Sequence, residues 1–242
     1  MDSDDRWDMF HLPRTKSKIN VRIFKKIGTL CLILFAFQSW GQHTKYTRIF
    51  HEYYDNKPVH FGFQFGFVQA RYFVSEPITP HIISPSNFGF FVGGNVNYAF
   101  NKYFEAKSGI NVALYERRIL YGNAYENEKY RESTWIEFPF LMKFRSVRRK
   151  NHRAFINAGF KVGLESNKKD NTTGVNEFEG VNQTDFTIEY GFGLEIFNRF
   201  FKLSPEIRFS NGLVNLYDKE NNLFGNNLNL KSNTISLILN FE

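Results

Sequence analysis

Charged side chains recur at every second position in several stretches of the chain. Their types would allow them to form ion pairs or to exchange protons. Glu105 and Lys107 form one such pair, and Glu206 and Arg208 form another. Alternate residues of an extended strand point to the same face, so each pair lies on one side of a strand. Where carboxylates and cations meet away from water, they can form ion pairs or exchange protons. The candidate network comprises Glu105, Lys107, Glu137, Lys161, Glu165, Glu189, Glu195, Glu206 and Arg208.

A catalytic site is one interpretation of these residues. His60, Glu137 and Ser204 fall on the same polar faces, and they are the residue types of a general base, an acid and a nucleophile. The sequence shows no nucleophile elbow, no zinc-type His spacing and no Gly-rich phosphate loop. We therefore expect no enzymatic activity, no metal or other cofactor and no small-molecule substrate.

The elements that carry these charges are predicted β-strands with one strongly apolar face. In residues 59–74 the apolar face carries Phe61, Phe63, Phe65 and Phe67, and the opposite face carries polar or small residues. Such strict alternation indicates a strand whose whole apolar face needs an apolar neighbour. The pattern returns in seven further stretches, which are residues 88–100, 103–118, 133–145, 153–165, 185–196, 201–209 and 231–241.

The connections between the eight predicted strands alternate between long and short. The long ones cover residues 75–87, 119–132, 166–184 and 210–230. In outer-membrane barrels the short turns face the periplasm and the long loops face the exterior. The predicted fold class is therefore all-β, an eight-stranded antiparallel transmembrane β-barrel with short periplasmic turns and long extracellular loops. Pro139, inside the fourth strand, lacks a backbone donor, and we expect a bulge or a kink there.

Alternation alone does not decide which face points inward, because a lipocalin-like soluble barrel buries its apolar face. Two features of the polar face favour lipid on the outside. It carries many glycines, which suit a narrow, curved interior, and charges of both signs, which can pair across a lumen. Outer-membrane lipid is thus the expected partner, and a soluble, ligand-carrying barrel is the alternative. The charges in the lumen would form either a structural network or a path for ions or protons.

The composition narrows the possible functions. Aromatic residues make up 18% of the chain, which excludes a disordered protein, and a mean hydropathy of -0.40 argues against a bundle of membrane helices. Part of the net charge of +7 lies in the first 41 residues, so the remainder is mildly basic and nucleic acid is not an expected partner. Cys31, the only cysteine, lies in the same segment, so no disulfide framework is expected after it.

Residues 1–41 are predicted to be a signal peptide with an extended n-region. Basic residues around Lys25 precede the apolar run 27–37, which is too short to span a bilayer, since spanning takes about 20 residues. Small residues near its end place the cleavage site near Gly41-Gln42. The exported chain would then consist of a periplasmic lead-in, residues 42–58, and a barrel, residues 59–242, located in the outer membrane.

Two segments carry a more specific pattern. The first runs from Tyr54-Asp55 to His60-Phe61-Gly62-Phe63, and the second, Trp135 to Phe144, reads WIEFPFLMKF and precedes the basic pair Arg148-Arg149. In these segments the chain resembles the PorT/SprT family of outer-membrane barrels, and the resemblance covers most of the exported chain. The family-motif positions are Tyr54, Asp55, His60, Phe61, Gly62, Glu137, Phe138, Pro139 and Lys143.

The resemblance implies a role in type IX protein secretion and gliding motility, a machinery that moves folded cargo across the outer membrane. It implies contacts with other secretion-system subunits during assembly or operation of that machinery, and no catalysis. One departure is that Glu242 follows Phe241, whereas outer-membrane chains often end on an aromatic residue. The alternative function is a generic small outer-membrane barrel that acts as an adhesin or stability protein through its external loops.

The periplasmic side offers two candidate contact surfaces. A basic turn carries Arg145, Arg148, Arg149 and Arg153, which could dock a partner with carboxylates or face anionic lipid headgroups. The aromatic lead-in allows three interpretations: a partner-binding segment, a plug over the periplasmic mouth, or a disordered tail. Because an eight-stranded lumen is only wide enough for side chains, we expect no passage of folded protein through this chain.

Overall fold

The computed structural model describes residues 48–75, 82–122, 127–166, 181–217 and 228–242. The predicted signal peptide and its cleavage site lie outside these residues. In chain order the elements are a 3-10 turn at Tyr54–Asn56 and the strands β1 (Val59–Ser75), β2 (Ile82–Ile83), β3 (Asn87–Ala99), β4 (Phe104–Tyr121), β5 (Asn127–Arg145), β6 (His152–Glu165), β7 (Thr184–Phe197), β8 (Lys202–Gly212) and β9 (Asn229–Phe241).

All strands except the two-residue β2 close into one antiparallel barrel. Each barrel strand pairs with the next one along the chain, and β1 pairs with β9, so that Phe65 lies opposite Leu239. The short strand β2 pairs with the outer end of β4, where Ile82 lies opposite Tyr121. No helix within the described residues is long and apolar enough to cross a bilayer. The predicted eight-stranded antiparallel barrel is confirmed.

The apolar faces of the strands point away from the barrel. Phe61 is 72% exposed and Phe192 is 52% exposed, whereas Glu105 and Glu195, on inward faces, are completely buried. A soluble barrel would bury its apolar faces, so the soluble alternative is wrong. On β4 the outward apolar stretch runs over residues 104–114, close to the roughly 9–11 residues that a tilted strand needs to cross a bilayer.

The hairpin of β4 and β5 extends beyond this apolar band, and our expectation of a long polar loop over residues 119–132 was wrong. β4 continues to Tyr121 and β5 begins at Asn127, with these two residues opposite each other. An outward ion pair of 2.7 Å joins Arg118 to Glu116 in this region. Outside the bilayer both faces of a strand can meet water, so the apolar alternation that signals a strand is lost. The other strand ends lie within three residues of the predicted ones.

Pro139 does not introduce the expected bulge. On one side of it Ser108 lies opposite Phe140, and on the other side Asn111 lies opposite Glu137, so the register between β4 and β5 is the same before and after the proline. The pairing with β4 lapses only between these positions, while Pro139 itself stays paired with β6. A proline removes one ladder hydrogen bond, and the bonds on either side hold the register.

The inward faces change character along the barrel axis. Towards the extracellular end they form two apolar clusters, whereas charged and amide side chains fill the remainder down to the periplasmic end. One cluster comprises Tyr72, Ile82, Ile119, Val181, Leu216, Tyr217, Leu228 and Leu230. The other comprises Val68, Ala70, Phe91, Ala113, Tyr115, Trp135 and Ile238. The lumen is therefore packed with side chains, with its ionic part near the periplasm.

Candidate functional site: the periplasmic mouth of the barrel

The middle of the lumen holds a continuous chain of ion pairs drawn from the candidate network. The ammonium of Lys161 lies 2.8 Å from a carboxylate oxygen of Glu137 and 3.3 Å from one of Glu189. The guanidinium of Arg208 lies 3.2 Å from Glu189 and 2.6 Å from Glu206. The neighbouring strands β5 to β8 thus contribute alternating charges, which is the arrangement that compensates buried ions.

Further polar and aromatic side chains fill the space around this chain. Lys107 lies 3.6 Å from Glu206 and donates to the Asn240 amide oxygen at 2.6 Å. Towards the extracellular end, the guanidinium of Arg117 sits 4.9 Å from the centre of the Tyr115 ring. A cavity of about 10 Å³ borders Arg117, which is room for a single water molecule.

A second ionic cluster lies at the periplasmic end, and we call it the mouth cluster. At its centre Glu195 lies 2.5 Å from both Lys143 and Arg153, and 3.3 Å from Lys202. All four side chains are at most 3% exposed. The mouth cluster comprises Glu105, Lys143, Arg145, Arg153, Glu195 and Lys202.

Arg145 and Arg153 belong to this cluster and are buried, so our inclusion of them in an exposed contact surface on the basic turn was wrong. Arg145 is 1% exposed and donates to Glu105 at 2.6 Å, and Arg153 is 3% exposed. The period of the strand explains the placement, because Arg145 lies two residues after the inward Lys143 and so shares its face. Of the basic turn, Arg149 is exposed to solvent.

Residues 48–58 of the lead-in lie over the mouth and insert Tyr54 among the barrel side chains. Its ring stacks on His60, with centroids 3.9 Å apart, and meets the edge of Phe197 at 5.4 Å. The Tyr54 hydroxyl donates to the carboxylate of Glu242 and accepts from the ammonium of Lys202 at 2.7 Å. Of the interpretations of the lead-in that we considered, a plug over the mouth matches this placement.

The next residue of the lead-in, Asp55, adds a carboxylate to the mouth cluster. It accepts a hydrogen bond of 2.9 Å from Arg153 and lies 3.9 Å from Arg145. Glu242 adds a second carboxylate from the other end of the barrel chain, 2.5 Å from Lys202. These two groups matter because the mouth cluster itself has four cations and only two carboxylates.

Glu242 is therefore a structural member of the mouth. Besides Lys202 and Tyr54, it accepts a hydrogen bond of 2.7 Å from the side-chain amide of Asn97. Gly62 makes room for it, because a Cβ at that position would stand 2.6 Å from the Cγ of Glu242. Sequence reasoning assigned Glu242 no place in the lumen, and Lys202, although on the polar face of its predicted strand, was left out of the candidate network.

The protonation of the groups around Tyr54 follows from burial and charge. Burial and the neighbouring Glu242 carboxylate raise the pKa of the Tyr54 hydroxyl far above its usual range, so it remains a donor. Burial by itself would raise the pKa of Glu242, but the ammonium groups of Lys202 and Lys143 outweigh it and hold this pKa at about 2. The mouth therefore carries an ionised Glu242 throughout the physiological range.

Two side chains of the turn between β5 and β6 hold the lead-in in place. Arg148 donates to the carbonyl oxygens of Phe50 and His51, and its guanidinium lies 3.7 Å from the centre of the Phe197 ring. Asn151 accepts from the Phe50 amide at 2.9 Å. Arg148 thus contacts this chain's own lead-in through carbonyl groups, where we had considered a partner's carboxylates.

The remaining candidate residues lie apart from the mouth. Glu165 points inward at the extracellular end, where its carboxylate lies 2.7 Å from Arg131. The three possible catalytic residues are separated: His60 stacks on Tyr54, Glu137 pairs with Lys161, and the Ser204 hydroxyl has no hydrogen-bond partner among the described residues. Within the described residues, no group of three or more His, Cys, Asp or Glu side chains could hold a metal ion.

The family-motif positions divide by the direction in which they point. Tyr54, Asp55, His60 and Gly62 meet at the mouth, and Lys143 reaches the same cluster from β5. Glu137 lies higher in the lumen. Phe61 points to the lipid, the outward Phe138 is half-buried, and Pro139 is buried. Most of the motif residues with polar or small side chains therefore serve one site.

Comparison with known proteins identifies the family of the chain through one family model. The chain is similar to three solved structures: Neisserial surface protein A (12% identity, TM-score 0.42, covering 76% of this chain and 98% of that one), the N-terminal β-barrel domain of Pseudomonas aeruginosa OprF (13%, 0.32, 74% and 96%), and the outer membrane protein AlkL in lipid bilayers (9%, 0.38, 75% and 87%). No curated protein matches the chain. The family model described as outer membrane protein beta-barrel domain matches residues 40–218. The chain is an outer-membrane β-barrel and belongs to that family.

Proposed function

We propose that this barrel is an accessory component needed for assembly or operation of type IX protein secretion, and that it acts through protein contacts at its periplasmic mouth. The observation that carries the proposal is an ordered, charge-balanced mouth below a lumen filled by the chain's own side chains. Such a lumen has no room for folded cargo, so the barrel would serve other subunits and would not be the conduit. We assign it no catalysis, cofactor or small-molecule substrate.

Support for the type IX assignment comes from the resemblance to the PorT/SprT family. The resemblance rests on two segments far apart in sequence, Tyr54 to Phe63 and Trp135 to Phe144. Both send side chains to the periplasmic mouth, Asp55 from the first and Lys143 from the second. Because both motif segments contribute side chains to this site, we place the function of the motif there. Export would use the signal peptide at residues 1–41, and N-terminal sequencing of the mature chain tests its cleavage near Gly41-Gln42.

The test is a strain in which the gene is deleted, with secretion of type IX cargo and gliding as readouts. Loss of secretion, restored by the wild-type gene, is the expected result. The paired charge reversals Arg149→Glu and Lys150→Glu alter the exposed rim of the mouth, and Glu132→Lys is a matched control at the extracellular end. We expect the rim variant to lower secretion and to lose crosslinks to periplasmic subunits. Intact secretion in the deletion strain would remove the type IX assignment.

A role through the external loops is the second candidate, and the β4–β5 hairpin favours it. This hairpin carries outward charges such as Glu116 and Arg118 beyond the apolar band, so it offers a polar surface to the exterior. Replacing residues 119–129 with an Asn-Gly turn shortens the hairpin without touching the mouth. If adhesion of whole cells falls while cargo secretion is unchanged, the barrel works as an adhesin or stability protein.

A further inference from the structure

The strands alone leave the periplasmic mouth short of negative charge. The mouth cluster brings four cations against the carboxylates of Glu105 and Glu195. All six side chains are at most 3% exposed, so water screens them poorly. Buried cations without compensating carboxylates are costly. Asp55 and Glu242 supply the two missing charges. Glu242 directly follows β9, whereas Asp55 belongs to the lead-in.

Beside this charge lies a slot for an aromatic ring. The slot is formed by the face of His60, the ring of Phe197 and the ammonium of Lys202, which lies 4.5 Å from the centre of the Tyr54 ring. A cation over a ring face and a stacked second ring both favour an aromatic occupant. Ring and carboxylate sites are adjacent, so the mouth fits a segment in which an aromatic residue precedes an acidic one.

The lead-in occupies this slot as a bound peptide does. Its 3-10 turn has no buried residue, and Asp55 keeps 33% of its side chain exposed. Outside the Tyr54-Asp55 pair, its side-chain attachments come from Arg148 and Asn151 on one periplasmic turn, and the Ala99 amide donates to the Pro58 carbonyl where the segment enters β1. A segment attached by few side chains at a barrel rim opens at lower free energy than the strands do.

We propose that the periplasmic mouth is a binding site for a short segment carrying an aromatic residue followed by a carboxylate, that the lead-in occupies it in cis, and that a periplasmic partner with the same pair displaces the lead-in. The inference deepens the proposed function, since it states the chemistry of the partner. Exchange is feasible because the incoming carboxylate and ring replace those that leave, so the mouth cations stay compensated.

The test is an exchange experiment on the full chain in detergent micelles. The probe is a fluorescent peptide with the sequence of residues 48–58, RIFHEYYDNKP, and its binding is followed by anisotropy. A tethered segment competes at an effective concentration of about millimolar, so wild-type protein should bind the probe weakly. Asp55→Asn weakens the cis segment and leaves the mouth cluster intact, and it should tighten probe binding by about tenfold or more.

Three controls make the result specific. A probe with the same Asp→Asn change should lose its preference for the Asp55→Asn protein, because it lacks the carboxylate. Arg71→Gln changes an exposed cation near the extracellular end of β1 and should leave probe binding unchanged. The heat-dependent gel shift checks that every variant is folded. Equal binding to wild-type and Asp55→Asn protein, or equal binding of the two probes, would overturn the inference.

The outcome is separable from that of the proposed function, because the exchange experiment uses purified protein and the secretion test uses cells. Probe exchange together with intact secretion in the deletion strain upholds the mouth as a binding site and rejects the type IX role. Lost secretion without probe exchange upholds the type IX role and rejects the mouth as an exchangeable binding site. The lead-in is then a permanent plug.

Discussion

At the scale of single residues, the ion-pair chain and the mouth cluster set buried charges against opposite charges. Glu195 is the clearest case, because one buried carboxylate meets Lys143, Arg153 and Lys202. A buried ion pair is not by itself strong support for stability, but removing one partner leaves the other charge uncompensated. The contribution of each lumen residue to stability is therefore measured by replacing that residue alone.

We predict that Glu195→Gln lowers the free energy of unfolding by about 3–5 kcal/mol, since three cations then share a site with too few carboxylates. Urea unfolding in lipid vesicles, followed by the gel shift, measures the change. The matched control is Glu116→Gln, which removes a solvent-exposed ion pair with Arg118 and should cost less than about 1 kcal/mol. Similar losses in the two variants would contradict the buried network.

The Glu242 carboxyl group makes the stability of the barrel depend on pH. Its pKa falls from 4.5 to about 2 in the folded barrel, because Lys202 and Lys143 outweigh the effect of burial. A depressed carboxyl pKa stabilises the fold above the unfolded value, and this contribution is lost as the pH falls towards the folded value. We expect Glu242→Gln to be less stable at pH 7 and to lose less stability than wild type between pH 4.5 and 2.

The measurement is the urea midpoint as a function of pH for wild type and Glu242→Gln. Glu132→Gln serves as the control, since it removes an exposed carboxylate at the other end of the barrel and should keep the wild-type slope. Parallel curves for wild type and Glu242→Gln would show that Lys202 does not depress the pKa of this carboxyl group.

At the scale of elements, inward glycines let neighbouring strands approach closely enough for a narrow barrel. Gly159 on β6 faces the lumen beside β5, and a Cβ there would stand 2.1 Å from the carbonyl oxygen of Phe140 and 2.8 Å from the Cα of Leu141. Both contacts are with backbone, which cannot rotate away. Gly94 on β3 faces outward, with its nearest neighbour, the Gly62 carbonyl oxygen, at 3.9 Å.

We predict that Gly159→Ala destabilises the barrel by about 1–3 kcal/mol, as overpacking does, while Gly94→Ala is tolerated. The two variants share the same effect on the unfolded chain, so their difference isolates the steric contact. Unfolding midpoints in the same vesicles give that difference. If Gly94→Ala proved as harmful as Gly159→Ala, backbone freedom and not close strand approach would be the reason for the glycines.

At the scale of the whole molecule, three layers fill the described part of the lumen. Residues 48–58 of the lead-in lie over the mouth, the ion-pair chain around Lys161 fills the middle, and apolar clusters fill the extracellular part. Each layer is built mainly from its own side chains. Opening one of them therefore leaves the others in place.

We predict that the purified barrel produces no steady ion current in a planar bilayer, and that Asp55→Asn, which loosens the mouth, produces none either. The reason is that the middle and extracellular layers persist in the variant. Conductance recordings on both proteins check this, with a 16-stranded porin as the positive control, whose lumen is an aqueous channel. A steady current through wild type would show that the lumen charges line an ion path.

The faces of the strands could be predicted from residues alone. Alternation is a local property of extended backbone, so the inward positions of Glu137, Lys161 and Glu206 followed from their parity within a strand. By the same parity Arg145 and Arg153 lie on inward faces, whereas we had grouped them with the exposed basic turn. Outside the bilayer the strands lose their apolar alternation, so the sequence predicted a loop where the outer parts of β4 and β5 lie.

What the sequence by itself determined was the number of barrel strands, the lipid-facing side and the inward faces that carry most of the lumen charges. These depend on the period of the strand and on the cost of exposing apolar side chains to water. Only the tertiary structure decided which charges meet. Tyr54, Asp55 and Glu242 reach one mouth because ring closure brings β1 beside β9, and no local pattern encodes a contact between residues 188 positions apart.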